Sequence, residues 1–222
     1  MVLDTFKDGI DAVLHPEKIT KSAKTVGDGL ALYYKFSVIP LVLLAIVAFG
    51  AGFVLQGVVA ATGLVNGLLA GNLVWLAVVA VVLYVWGLIP IGLLIFSVIL
   101  HWIGKGLGEW KGDFAATFTA AVYGMFLPLA ILWLTVLPII GGLIQLVAFV
   151  WSIYVLVVAL ANLHKTSRVG AFVVLVASAV VIWLVALWVA TGVFGAVVGP
   201  LVSAMVGTLH ANLPSVLHVG AA

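Results

Sequence analysis

The stretch LVWLAVVAVVLYVWGLIPIGLLIFSVIL, Leu73–Leu100, contains no Asp, Glu, Lys or Arg. An uncharged apolar run longer than ~18 residues marks a membrane span, because only hydrocarbon suits such a surface on every side of a helix. Four other runs share the property: Phe36–Ala61, Phe114–Leu137, Gly142–Leu163 and Val169–Val193. The expected fold is therefore all-α, a polytopic transmembrane helical bundle of about five spans. Leu73–Leu100 is longer than ~30 Å of hydrocarbon requires at 1.5 Å per residue, so it must tilt or bend. Gly87 with Pro90 is the expected kink or hinge, and Pro128 marks a second one in the next span.

Composition agrees. The 222 residues are 66% hydrophobic and 7% charged, with a mean hydropathy of +1.40, whereas soluble domains are roughly 25% charged. The net charge of +2 comes without a basic patch interleaved with aromatics, so no nucleic-acid partner is expected. Having no cysteine, the chain has no disulfide framework, thiolate zinc site or cysteine nucleophile. The first long apolar run begins near Phe36, behind a charged stretch too long for a signal-peptide n-region, so the first span is expected to stay in the mature protein.

Charge sets the orientation. The connections Thr62–Asn72 and Pro138–Gly141 carry no charge, whereas His101–Asp113 holds Lys105 and Lys111, and His164–Arg168 holds Lys165 and Arg168. Together with Lys7, Lys18, Lys21, Lys24 and Lys35, all nine basic residues fall on one side of a five-span model. The positive-inside rule makes that side cytoplasmic, with the C-terminus outside.

Three parts follow. In residues 1–35, Leu3, Phe6, Ile10, Val13 and Leu14 recur at helical spacing opposite Asp4, Asp8 and Asp11, the pattern of an amphipathic helix in the headgroup layer. Pro16 is placed to start a second such helix, with Ile19, Ala23, Val26 and Leu30 as its apolar stripe. Leu3, Phe6, Ile10 and Val13 are expected to enter the leaflet, while Lys18, Lys21, Lys24 and Lys35 meet anionic headgroups. Residues 36–193 form the membrane domain. Residues 194–222, with Leu201, Met205, Leu209, Leu213 and Leu217 every fourth position, read as an outside amphipathic or re-entrant tail rather than a sixth span across Pro200.

Chemistry is sparse. The spans hold no ionisable Asp, Glu, Lys or Arg to meet a moving ion. The five histidines lie at membrane edges without a His-x-x-x-His pair, so neither metal nor cofactor is expected. Ser97, Ser152 and Ser178 are lone hydroxyls, and His101 with Asp113 is the one polar pair an enzyme could use. Gly104, Gly106 and Gly108 read as a flexible membrane edge. Gly63, Gly67 and Gly71, and Gly195 with Gly199, give small-xxx-small ridges for helix packing, within one chain or between two. Trp86, Trp151 and Trp183 fall near mid-span and are expected to fill space between helices.

From His101 to Phe172 the order of features is more specific. A glycine-rich segment ends in Gly112-Asp113-Phe114, then come Tyr123-Gly124 and Pro128, a tight Pro138…Gly141-Gly142 turn, Trp151 with Tyr154, and a short His164…Ser167 connection. In this the chain resembles the Yip1-domain family, closely over that third and in layout elsewhere, including the early His15-Pro16. The resemblance implies a five-span, N-inside membrane protein. In eukaryotic members it implies trafficking adaptors that contact prenylated small GTPases and shape membranes. The long N-terminal region and acidic Tyr-Gly-Pro-type segment of those members do not occur here, so a small GTPase partner is not expected, and the resemblance implies a prokaryotic-type member in a cytoplasmic membrane. The leading reading is a non-enzymatic scaffold or accessory protein that meets the lipid bilayer and a membrane-protein partner or a second copy of itself. The alternative is a transporter or carrier of a neutral or amphipathic small molecule or lipid.

Overall fold

A computed structural model of the chain describes residues 2–62, 76 and 79–217. Its helices are α1 (Val2–Leu14), α2 (Val26–Thr62), α3 (Ile89–Gly106), α4 (Phe114–Ala130), α5 (Pro138–His164) and α6 (Arg168–Leu217). Residues 1–178 form one compact unit and residues 179–222 a second. Among the described residues four helices are long and apolar enough to cross a membrane, at Val26–Val54, Val79–Gly106, Ile139–His164 and Arg168–Gly192. The shorter apolar α4 makes about five. Its 17 residues rise about 25 Å at 1.5 Å each, and a 3-10 segment of 5 residues, Leu132–Val136, adds about 10 Å more. Helix and extension together match the ~30 Å of a hydrocarbon core.

The N-terminal region departs from expectation. α1 forms, but Pro16–Lys18 is a single 3-10 turn rather than the start of a second helix. His15, preceding a proline, leaves the helical region with φ −134° and ψ 63°. The next helix begins only at Val26, where a reciprocal cap fixes it. Asp28 N–H donates to Thr25 Oγ1 at 3.1 Å, and Thr25 N–H donates to Asp28 Oδ2 at 3.1 Å. Residues 19–25 between them form a connector (residues 24–25 a bend) that lies on α4, with Ala23 N–H donating to Thr119 Oγ1 at 3.0 Å.

α4 is the centre of the first unit. Every residue from Ala115 to Val122 is buried, and so are Gly124, Phe126, Pro128 and Leu129. α2 runs beside it, with Gly29 against the Phe118 ring and Phe36 edge-on to Phe126 at 4.7 Å. On the other flank Gly124 approaches Leu156 of α5 so closely that a Cβ there would sit 3.0 Å from the Leu156 Cβ.

Pro90 leaves a specific mark. The turn Tyr84–Leu88 before α3 is π-helical, with Ile89 N–H reaching Tyr84 O. In that register the next carbonyl, Val85 O, would be served by the N–H that Pro90 lacks; in α register the orphan would be Trp86 O. Two α2 side chains supply the donors: the Tyr33 hydroxyl bonds Val85 O, and the Tyr34 hydroxyl bonds Trp86 O at 3.2 Å. Hydrocarbon makes such substitution necessary, because no water is there to satisfy a freed carbonyl.

Other positions are reassigned. Trp86 and Trp151 are half-exposed rather than interior fillers, each tied by its ring N–H, to Ser37 Oγ at 3.1 Å and to Val13 O at 3.0 Å. Trp183 is exposed. Of the three juxtamembrane glycines, Gly108 supplies a left-handed φ of +72°, and Gly104 makes room for the Trp110 ring. α6 continues through Val193 and Pro200 to Leu217 without a break.

Replacing Tyr33 with Phe is expected to lower stability by about 1–3 kcal/mol, the cost of a buried unpaired carbonyl. In a Pro90→Ala background, where residue 90 regains its N–H, the same change should cost clearly less. Thermal unfolding of the four proteins in detergent gives the coupling; equal costs in both backgrounds would show that the hydroxyl does not stand in for the missing donor.

Candidate functional site

The basic segments meet at one end of the first unit. Lys111 N–H reaches His164 O at 3.4 Å, and the Thr166 hydroxyl donates to Glu109 Oε2 at 2.6 Å, joining the two basic connections. The N-terminal segment joins them through Asn162, whose amide donates to Glu17 O at 3.2 Å and Pro16 O at 3.4 Å.

α1 lies on the bundle. Its Gly9 abuts the Phe126 ring, Phe6 stands 5.2 Å from the same ring, and Val13 is buried in the cluster around Phe36, Phe118 and Phe126. The predicted apolar stripe is thus divided. Phe6 and Val13 meet protein, while Leu3, Ile10 and Leu14 remain uncovered at 61%, 44% and 63% exposure. Amphipathic spacing identifies an apolar face but not whether lipid or protein covers it. Among the lysines, Lys18 pairs with Asp11 at 3.3 Å, Lys24 is exposed, and Lys21 and Lys35 line a common cleft with Asp8 and Asp28.

At the same end three helices are tied by a polar relay, buried at Thr117 and His164 and half-buried at His101. His101 Nδ1 lies 2.8 Å from Thr117 Oγ1, which lies 3.0 Å from His164 Nε2. These residues come from α3, α4 and α5. Trp110 stacks on His164 with ring centroids 4.2 Å apart and planes 12° from parallel, and Phe114 stands edge-on to His101 at 5.7 Å. Gly112 makes the approach possible, since a Cβ there would lie 2.7 Å from His164 Nδ1. Asp113 caps α4 by accepting from Ala116 N–H at 2.9 Å, so its carboxylate serves the backbone rather than His101.

Hydrogen-bond satisfaction orders the relay. With both rings neutral, the one hydroxyl proton of Thr117 goes to one ring and its oxygen accepts from the other. His164 Nδ1 is buried without a partner. Were Thr117 the donor to Nε2, Nδ1 would hold a stranded N–H, the rarer defect; with His164 donating from Nε2, Nδ1 is only an unused acceptor. The assigned order is His164 Nε2–H to Thr117 Oγ1, and Thr117 Oγ1–H to His101 Nδ1. Such an arrangement locks helix ends together. Among the described residues no group of three His, Asp or Glu could hold a metal.

The remaining sequence-predicted positions are dispersed. Gly63, Gly67 and Gly71 lie outside the described residues. Gly195 and Gly199 are on α6, and a Cβ on Gly199 would meet nothing within 4 Å. Gly87 falls within the π turn, directly ahead of Pro90. Pro128 lies in the last turn of α4, where its carbonyl accepts from Gln145 Nε2 at 3.1 Å. No sequence spacing announces the relay, because its members stand 16 and 47 positions apart on separate helices.

A family model described as the Yip1 domain matches residues 10–191. No curated protein and no solved structure matches the chain.

Thr117→Val keeps the volume but leaves two ring nitrogens without their shared hydroxyl, and is expected to destabilise by about 1–3 kcal/mol. Thr117→Ser, which keeps the hydroxyl, should retain most of that stability. Melting curves in detergent compare them; a Val variant as stable as the Ser variant would remove the relay from the account.

Proposed function

The chain belongs to the Yip1-domain family, and from that premise we propose that it is a non-enzymatic membrane scaffold or accessory protein. Members of the family interact with membranes and other membrane proteins. The helices long enough to span and the family match make this an integral membrane protein.

One observation carries the scaffold reading. The N-terminal segment is held on the bundle by Phe126, Trp151 and Asn162, yet it leaves Leu3, Ile10 and Leu14 uncovered next to Asp4, Lys7 and Asp8. An apolar edge beside charges suits the boundary between headgroups and acyl chains. In this reading the basic end faces the cytoplasm of a prokaryotic cell, and the C-terminus lies outside. Leu3, Ile10 and Leu14 enter the cytoplasmic leaflet, and Lys24 meets anionic headgroups. The partner is a membrane protein or a second copy of the chain, packed on the exposed faces of α5 and α6. A small GTPase is not part of the proposal.

The polar groups of the relay support a non-catalytic role. Thr117 bridges two rings and His164 is enclosed, while the neighbouring Asp113 caps a helix, so each is committed to a structural contact.

Purification from native membranes in mild detergent, followed by mass spectrometry, tests the reading. A membrane protein in stoichiometric amount, or a defined homo-oligomer, is the expected result. A monomer without a partner that drives flux of a neutral solute in proteoliposomes would overturn it in favour of a carrier.

A further inference from the structure

Between α1, the connector, α2 and α4 lies a cleft of about 340 Å³, at the low end of the ~300–1,000 Å³ typical of small-ligand sites. Its walls carry two charges of each sign. Lys21 comes from the connector, Lys35 and Asp28 from α2, and Asp8 from α1, with Tyr123 of α4 between them. Opposite charges in one cleft would ordinarily close on each other. Here Lys21, Lys35 and Asp8 form no ion pair with any described residue. Asp28 spends Oδ2 on the Thr25 cap, which leaves Oδ1 for another partner. Thr119 holds the connector in place by accepting from Ala23 N–H and donating to Ala115 O at 2.7 Å.

We propose that this cleft binds phosphoethanolamine, the zwitterionic headgroup of a phospholipid in the leaflet at the basic end. The order of charges along α2 matches that headgroup. Asp28 lies in the first turn, at the surface, and Lys35 lies seven residues further in, about 10 Å deeper along the helix axis. In the lipid the phosphodiester is joined to glycerol, nearer the hydrocarbon, and the ammonium is two carbons further out. Lys35, with Lys21 on the facing wall, therefore meets the phosphate, while Asp28 meets the ammonium through charge-assisted hydrogen bonds. A trimethylated ammonium has no N–H to give this carboxylate. A glycerol headgroup has no positive charge for it. The cleft thus favours phosphoethanolamine over phosphocholine and phosphoglycerol. The proposal rests on the membrane-surface reading only in placing this end at the headgroup layer; it does not depend on a protein partner.

The test is native mass spectrometry of the purified chain after exchange into detergent containing equal amounts of phosphatidylethanolamine, phosphatidylcholine and phosphatidylglycerol. Phosphatidylethanolamine should be the enriched bound lipid. Asp28→Asn, which keeps an oxygen for the Thr25 cap, should reduce its preference over phosphatidylcholine on the order of tenfold, one charge-assisted hydrogen bond converted to affinity. Lys21→Gln should weaken all three lipids. Both side chains are exposed, so unchanged melting temperatures would show that the variants fold. Soluble glycerophosphoethanolamine serves as a second probe: displacement of lipid only at far higher concentration identifies a membrane-borne headgroup, and equal potency identifies a free phosphoethanolamine ester as the occupant. Equal binding of the three lipids by wild type, or an unchanged preference in both variants, would overturn the site. Such a failure alongside a co-purifying partner would leave the scaffold reading standing.

Discussion

The enclosure of α4 is the constraint from which the rest follows. A helix of 17 residues is short for a span, and from Ala115 to Val122 all but Phe118 and Val122 are alanine or threonine. Left to lipid it would offer thin, poorly packed contact; surrounded by helices it lets backbones approach closely. At Gly29, Gly124 and Gly9, on or around it, an added Cβ would run into Phe118, Leu156 and Phe126 respectively. The N-terminal segment completes the wall. α1 and the connector are therefore parts of the bundle.

A second constraint is that hydrocarbon leaves no polar group unsatisfied cheaply. Where Pro90 interrupts the ladder, two tyrosines on α2 take over the carbonyls. Where three helices end together, Thr117 serves two histidines, and the rings are packed by Trp110 and Phe114. The polar groups at the basic end are consequently of two kinds. Those of the relay are paired inward and fix geometry. Those of the cleft between α1 and α2 face one another across open space, which makes that cleft the chemically available part of the end.

Much of this is legible in sequence, for identifiable reasons. Uncharged runs locate spans because the bilayer imposes a length, and the lysines collect at one end because the connections alternate. The family-like motifs prove to be packing devices: Gly112 admits His164, Asp113 caps α4, Phe114 meets His101, and Gly124 admits Leu156. Thr25-Val-Gly-Asp28 was also readable, as a capping pair that argues against a helix from Pro16. Other features depend on distance in space. No spacing rule joins His101 to His164, and the period of Leu3, Phe6, Ile10 and Val13 is the same whether the face meets lipid or Phe126.

The docking of α1 on α4 is thus the central claim, and the absence of cysteine is no obstacle to a light-activated probe. With p-benzoylphenylalanine at position 6 in the reconstituted chain, illumination should yield an intramolecular adduct mapping to the α4 peptide around Phe126. Adducts to lipid alone would contradict the account and return α1 to the membrane surface as a free amphipathic helix.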